Sequence, residues 1–214
     1  MLSRTIRRRD TGSTSPAFAE DLHPLLRRLY ANRGVYESAD LDLGLARLIP
    51  VSQLGGIDAA VDLLCEHYRR GSRIVVVGDF DADGATSTAL VVRCLRDFGF
   101  ADVGYLVPNR FEYGYGLTSE IVDVAARRSP DLIITVDNGI SSVGGVARAR
   151  QLGIKVLITD HHLPGEKLPP AEVIVNPNDP EEAFPGKHLA GVGVAFYVLA
   201  ALAKTLGQAS AVAE

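Results

Sequence analysis

Short apolar runs alternate with longer segments of helical pattern through most of the chain, and no other feature constrains the fold as much. The apolar runs cover residues 73–79, 103–107, 132–137, 154–159 and 172–175. The helical patterns cover about 86–98, 118–128 and 143–152, and a last one begins near Gly193. Strands this apolar are typically buried on both faces. Alternation of such strands with helices gives a parallel sheet covered by helices on both faces. The sequence therefore predicts an α/β fold with a mostly parallel sheet.

The residues before the first strand predict a short helical segment instead of more sheet. Helical patterns cover residues 22–32, 41–48 and 57–70, and Gly71 is a stop signal for the third. We expect three regions: a basic flexible arm at 1–18, a helical segment at 19–71, and the sheet domain at 72–214.

Composition excludes little, but it does indicate the class of protein. The chain has 214 residues, a net charge of −4 and 22% charged residues, values ordinary for a globular protein. This charge gives no bulk attraction to nucleic acid or membrane, although local basic residues can still bind a polyanion. Cys65 and Cys94 lack the spacing of a metal or disulfide framework, which favours reduced thiols and a cytoplasmic location. The longest apolar stretch, 189–203, is shorter than the roughly 20 residues that span a bilayer, so we expect no membrane partner.

Three aspartates follow the first strand at alternate positions. Asp79, Asp81 and Asp83 lie in the motif GDFDADG, at the edge where ligands bind in open α/β sheets. Carboxylates this close repel one another unless a cation lies among them, and a divalent metal ion is the usual one. A solvated acidic turn is the alternative. An aspartyl-phosphate phosphatase would also have a DxD motif here, but its later elements supply lysine and acid, whereas this chain supplies histidines.

Two later strands end in side chains of the same kind. Asp137 follows the run at 132–136 in TVDNGIS, and Asp160, His161 and His162 follow the run at 156–159. Asp-Asn-Gly alone is also ordinary turn chemistry. Successive strand residues point to opposite sides, so the two histidines should differ in role: one binds metal and the other faces the substrate. Asp160 could orient an imidazole through a hydrogen bond.

The loop PNRFEYGYGL at 108–117 combines a cation with aromatic rings. Arg110 can contact a phosphate through two N–H groups. Phe111, Tyr113 and Tyr115 offer rings on which a base can stack, worth roughly 1–3 kcal/mol per base. A flexible surface loop is the alternative interpretation.

The order of these motifs resembles the DHH phosphoesterase superfamily. The motifs are GDFDADGATSTAL, PNRFEYGYGL, TVDNGIS, ITDHHLPG, VNPNDP and LAGVGVAF, and the resemblance extends from about residue 24 to 197. It implies a metal-dependent exonuclease that hydrolyses single-stranded DNA in the 5′-to-3′ direction, in DNA repair and recombination. It also implies two ions, Mn²⁺ or Mg²⁺, with single-stranded DNA as partner and a helicase or single-strand-binding protein as further partners. The alternatives are an oligoribonuclease, pyrophosphatase or cyclic-dinucleotide type of the superfamily, or an inactive truncated single-strand-binding fragment.

The resemblance also implies a role for each site residue. Asp81 and Asp83 would bind different ions, Asp137 would bridge them, and His161 would be a ligand. His162 would act at the scissile phosphate, so that His162 and Asp137 are the catalytic residues.

The resemblance has further implications for the motif around the first strand, for the loop at 108–117 and for the end of the chain. Val77 stands where many relatives carry a histidine, and we expect Asp79 to replace that histidine as a metal ligand. Asn109 and Arg110 would bind substrate, and of the aromatic residues in the loop we expect Tyr115 to bind it as well. The family pattern has a further metal-binding acid and a second domain beyond LAGVGVAF, which this sequence lacks before Glu214. We therefore expect an incomplete domain that alone binds metal weakly and degrades DNA poorly.

Overall fold

The computed structural model describes residues 22–42 and 44–208, apart from the side chain of Arg110. The basic arm expected at 1–18 lies outside the described residues. Contacts divide the chain into two compact units, residues 1–48 and 49–214. Among the described residues, no single helix is both long enough and apolar enough to cross a bilayer.

The described residues of the first unit form one α-helix and two 3₁₀ turns. Helix α1 is Pro24–Ala31, and the turns are Ser38–Leu41 and Leu45–Arg47. The α-helix begins where Pro24 supplies a preset φ and the side chain of His23 accepts the N–H of Leu25. The helix predicted over 41–48 is wrong. Asp42 has an extended backbone and its side chain accepts the N–H of Gly44 at 2.9 Å, a local turn that competes with a continuous helix.

The described residues of the second unit form a five-stranded sheet and six helices. The strands are β1 Arg73–Gly78, β2 Asp102–Leu106, β3 Leu132–Val136, β4 Lys155–Thr159 and β5 Val173–Val175. The helices are α2 Ile57–Arg70, α3 Ala82–Asp97, α4 Arg110–Tyr113, α5 Ser119–Ala126, α6 Val143–Gln151 and α7 Gly191–Thr205, with a 3₁₀ turn at Val51–Gln53. All four strand pairs are parallel, in the order β2-β1-β3-β4-β5. The predicted α/β fold with a parallel sheet is therefore confirmed.

The sheet separates two apolar cores, because alternate strand residues point to opposite faces. Ile74 and Val76 pack with residues of α2, α3 and α7 on one face. Val75 and Val77 pack with residues of α5 and α6 on the other face. Helices on both faces, as expected, bury the sheet. Helix α2, which the sequence placed in the segment before the sheet domain, contacts α7 and β5 within this unit.

Two helices begin earlier than the sequence indicated, and both differences involve the aspartate motif. Helix α3 begins at Ala82 instead of residue 86, because the carboxylate of Asp81 accepts the N–H of Gly84 at 2.9 Å and caps the first turn. Helix α7 begins at Gly191 instead of residue 193, because the carboxylate of Asp83 accepts its first N–H groups.

The strand order places a topological switch point between β1 and β3. From β1 the chain crosses to β2 on one side, whereas β3, β4 and β5 follow one another on the other side. In sheets of this order, ligands bind at the carboxyl ends of the strands that flank the switch point. The residues that follow β1, β3 and β4 all lie at this edge.

Candidate metal centre

Acidic side chains from the loops after β1 and β3 meet at the switch point. Asp79 and Asp81 follow β1, and Asp137 follows β3, where its N–H continues the pairing by binding the carbonyl of Thr159 at 3.1 Å. One carboxylate oxygen from each of these three aspartates lies within 4.8 Å of the others. The structure thus brings together three of the predicted ligands.

A second group of metal-binding side chains shares one residue with the first. Asp137, His161 and His162 also offer ligand atoms within 4.8 Å of one another. The Nε2 atom of His161 lies 3.0 Å from Oδ1 of Asp137 and 3.7 Å from Oδ2 of Asp83. Asp137 is therefore the common member of two neighbouring groups, the arrangement that a bridging ligand requires.

Asp137 has an unusual environment for a carboxylate. It is 1% exposed, and its Oδ1 atom is buried without a hydrogen bond. Burial, followed by the charges of Asp83 and Asp81, raises its pKa to about 7. Its φ of 59° lies in the left-handed region, a strained conformation that occurs often at functional sites. A buried carboxylate oxygen that has no hydrogen bond and lies among carboxylates, 3.0 Å from an imidazole nitrogen, fits a divalent cation such as Mn²⁺ or Mg²⁺.

Asp83 lies at the edge of this cluster and contacts the start of helix α7. Its two carboxylate oxygens accept the N–H groups of Gly191 and Val192, at 2.7 and 2.8 Å. Among the described residues it joins neither of the two close groups, although His161 is near it. Each carboxylate oxygen keeps a second lone pair, so this arrangement leaves Asp83 able to bind a metal ion on the side of His161.

Asp160 fixes the conformation of the loop after β4. Its buried carboxylate accepts the N–H groups of Ile140, His161 and His162, and the Nδ1 atom of His162 lies 2.7 Å from it. Burial alone would raise its pKa, but these hydrogen bonds outweigh burial and lower it. The hydrogen bond to Asp160 in turn raises the pKa of His162. The imidazole that Asp160 orients is therefore that of His162, and His161 is directed at Asp137.

Two asparagines that the sequence reasoning missed hold the histidine loop from the other side. The Nδ2 atom of Asn176 donates to the carbonyl of His162 at 2.9 Å. The Nδ2 atom of Asn178 donates to the carbonyl of His161 at 2.6 Å and to that of Lys187 at 3.2 Å. Both asparagines belong to the motif VNPNDP, which carried the resemblance but received no role.

The three predicted substrate-binding residues are not equally close to the centre. The Oη atom of Tyr115 lies 3.4 Å from both ring nitrogens of His162. Burial, and then the charges of Asp160 and Asp79, raise the pKa of this phenol. The side chain of Asn109 instead accepts the N–H of Phe111 at 3.1 Å, at the start of α4. The Arg110 side chain lies outside the described residues, so its role stays a prediction.

A cavity of about 950 Å³ extends from the acidic cluster toward the first turns of α5 and α6. Asp79, Asp81 and His162 are among the residues that line it. Small residues line it too, namely Ser119, Ser141, Ser142, Gly144 and Gly145. The sequence reasoning missed these small residues, although Ser141 ends the motif TVDNGIS. A cavity of this size accommodates an organic ligand beside the cluster.

Comparison with known proteins identifies the family. The family described as "DHH family, N-terminal domain" matches residues 73–213. A single-stranded-DNA-specific exonuclease RecJ of Salmonella typhimurium is 58% identical over 199 residues, which is 93% of this chain and 34% of that protein. The RecJ of Thermus thermophilus is 43% identical, over 83% of this chain and 25% of that protein. The chain thus spans about a third, or less, of the curated relatives' length.

Solved structures agree with the sequence comparison. A crystal structure of exonuclease RecJ bound to manganese matches with a TM-score of 0.68 and 41% identity, over 75% of this chain and 40% of that one. A crystal structure of the Thermus thermophilus RecJ in complex with Mn²⁺ matches with a TM-score of 0.64 and 40% identity, over 83% of this chain and 24% of that one. The family match covers most of the second unit, including every residue of the acidic cluster. This chain therefore belongs to the DHH family.

Proposed function

We propose that this chain carries the metal-binding portion of a nuclease that hydrolyses the phosphodiester bonds of single-stranded DNA from the 5′ end. The observation that supports the proposal most directly is Asp137, a buried carboxylate shared by two groups of metal-binding side chains. The names of the relatives, single-stranded-DNA-specific exonucleases, support the substrate and the reaction.

Two divalent ions, Mn²⁺ or Mg²⁺, would supply the activated water and neutralise charge on the phosphate. Asp79 and Asp81 would hold one ion, His161 and Asp83 the other, and Asp137 would contact both. The solved relatives bound to manganese support this choice of ion. The cluster needs such charge neutralisation, because carboxylate oxygens of Asp79 and Asp81 lie within 4.8 Å of one of Asp137.

His162 is suited to the phosphate instead of the metal. Asp160 holds its Nδ1 atom and raises its pKa, which favours the protonated ring and leaves Nε2 to donate toward the cavity. A protonated imidazole can stabilise charge on the phosphate or give a proton to the leaving oxygen. Tyr115, beside this ring, would help to fix its orientation.

The cavity beside the cluster would hold the nucleotide next to the scissile bond. Ser119, Ser141 and Ser142 in its lining offer hydroxyl groups for hydrogen bonds to sugar and phosphate oxygens. Asn109 and Arg110 would bind DNA from the start of α4. A helicase or single-strand-binding protein as partner, a role in repair and recombination and a cytoplasmic location remain predictions.

A segment exchange tests the function without requiring that the chain be active alone. The matching third of the Salmonella typhimurium enzyme is replaced by this chain, and release of mononucleotides from end-labelled single-stranded DNA is measured with Mn²⁺. We expect the hybrid to degrade single-stranded DNA and to leave duplex DNA and a cyclic dinucleotide intact.

Two variants of the same hybrid serve as controls. Asp137→Asn should reduce nucleotide release by at least about 10²-fold, because the centre loses its shared ligand. Asp123→Asn makes the same change of charge at an exposed pair with Arg148 and should leave the rate unchanged. A hybrid that is no faster than its Asp137→Asn variant would refute the proposed function.

A further inference from the structure

We propose that the first turn of helix α7, at Gly191 and Val192, is a positioning element of the metal centre. The inference rests on the proposed function, because it concerns how the same aspartates are held for metal. Gly191 and Val192 supply no metal ligand themselves. They act through Asp83 and Asp137, which come from distant parts of the chain.

The contact with Asp83 fixes both oxygens of its carboxylate. The N–H of Gly191 lies 2.7 Å from Oδ2, and the N–H of Val192 lies 2.8 Å from Oδ1. A carboxylate held by two backbone donors cannot rotate about its last bond without losing one of them. The direction in which Asp83 offers its remaining lone pairs is therefore set by α7.

The contact with Asp137 is a close approach that only glycine permits. A Cβ atom at Gly191 would lie 2.6 Å from Oδ1 of Asp137, 2.8 Å from its Cβ and 2.9 Å from its Cγ. Real Cβ atoms essentially never approach other atoms this closely, and Asp137 has little room to yield because it is 1% exposed. The same glycine thus donates to one aspartate and makes room for the other.

The rest of α7 makes this first turn a rigid support. Val194, Val198 and Leu202 are buried in the core on one face of the sheet. The hydroxyl of Tyr197 donates to the carbonyl of Ile49 at 2.8 Å. A helix anchored along its length holds its first turn at a fixed position relative to the sheet, and hence relative to the loops that carry the aspartates.

Two matched pairs of variants test the inference on the purified chain. Val192→Pro removes one donor to Asp83 at a first-turn position that tolerates proline, whereas Val192→Ala removes the side chain and keeps the donor. Gly191→Ala adds a methyl group against Asp137. Gly193→Ala adds the same group two residues later, where its nearest neighbours are atoms of the Leu189 side chain.

The measurements are the dissociation constant of Mn²⁺, by calorimetry, and the unfolding midpoint in EDTA. Loss of a group that holds a metal ligand typically weakens binding 10–100-fold. We therefore expect Val192→Pro and Gly191→Ala to raise the dissociation constant by about that factor relative to Val192→Ala and Gly193→Ala. A purely structural role would lower the midpoint in EDTA and leave the Mn²⁺ affinity of the folded protein unchanged.

Each outcome decides the question. Equal Mn²⁺ affinity of Val192→Pro and Val192→Ala would overturn the inference, and so would equal losses in Gly191→Ala and Gly193→Ala. If Gly191→Ala does not fold, the comparison at Val192 decides alone. A wild-type chain that binds no Mn²⁺ would refute the metal centre of the proposed function and the inference with it. Normal wild-type binding with unaffected variants would refute the inference only.

Discussion

Substitution of Asp137 by asparagine should have opposite effects on the metal-free and the metal-bound protein. The carboxylate is buried, faces other carboxylates and has an oxygen without a hydrogen bond. Asparagine has nearly the same shape, carries no charge and tolerates the left-handed backbone that Asp137 adopts. We therefore expect Asp137→Asn to stabilise the chain in EDTA and to remove most of the stabilisation by Mn²⁺.

The magnitude follows from the raised pKa. The pKa of Asp137 is about 7 in the folded protein against 3.8 for an ordinary aspartate, a difference of about three units. At about 1.4 kcal/mol per unit, ionising this group at pH 8 costs the folded state about 4 kcal/mol. The carboxamide must itself be buried without full hydrogen bonding, which costs about 1–3 kcal/mol. The net expectation is a gain of about 1–3 kcal/mol in the free energy of unfolding.

Urea unfolding at pH 8, followed by circular dichroism, measures both effects. In EDTA the midpoint of the variant should lie above that of the wild type. With Mn²⁺ at 100 times its dissociation constant, the wild type should gain about 2.7 kcal/mol. The variant should gain less than about 1.4 kcal/mol at the same concentration, because loss of the ligand shared by the two groups weakens binding at least about 10-fold.

Asp123→Asn is the matched control, since it makes the same change of charge at an exposed pair with Arg148. It should change the free energy of unfolding by less than about 0.5 kcal/mol in either buffer. Lower stability of Asp137→Asn than of the wild type in EDTA, or equal stabilisation of both proteins by Mn²⁺, would refute this prediction.

Three further predictions concern the same loops. In EDTA, the difference in the free energy of unfolding between Asp137→Asn and the wild type should grow from about pH 4 to 7. In this range the folded wild type keeps a proton on Asp137 that the unfolded chain has lost, so the wild type loses stability as pH increases and the variant does not. Urea titrations at pH 5, 6 and 7 that give a constant difference would contradict this. Asp160→Asn should lower the pKa of His162, measured from imidazole proton shifts, because the hydrogen bond to the Asp160 carboxylate raises it; an unchanged titration would disprove the pairing. Asn178→Ala should weaken Mn²⁺ binding about 10–100-fold by calorimetry, since it releases the carbonyl of His161; an unaltered dissociation constant would count against that role.

The sequence was sufficient for the sheet because strand signals here are strong and local. The runs Arg73–Gly78 and Leu132–Val136 are apolar enough to be buried on both faces, and the polar residues that follow mark where they end. Signals for short turns are weaker. The helix expected over 41–48 does not form, because a local hydrogen bond from the N–H of Gly44 to the carboxylate of Asp42 competes with it. The early start of α7 could not be predicted from the neighbouring sequence, because the residue that caps this helix is Asp83, more than 100 residues away.

The residues of the site also differ in how far the sequence predicts their roles. The convergence of Asp81, Asp137 and His161 followed from their positions after parallel strands, which share one edge. The roles of Asn176 and Asn178 did not follow, because an asparagine after a strand is ordinary turn chemistry until the carbonyls it binds are known.

The hydrogen bonds of Asp160 have a consequence for the order in which ions would bind. This buried carboxylate already holds the loop with His161 and His162 in place. Binding of an ion there would therefore lose little free energy to ordering of the loop. Asp81 is exposed, and the carboxylate of Asp79 accepts the N–H of the adjacent Phe80, so their side of the centre has fewer constraints. We therefore expect the two ions to bind in steps. The ion beside His161 should bind first, and the ion beside Asp79 and Asp81 should bind at higher metal concentration.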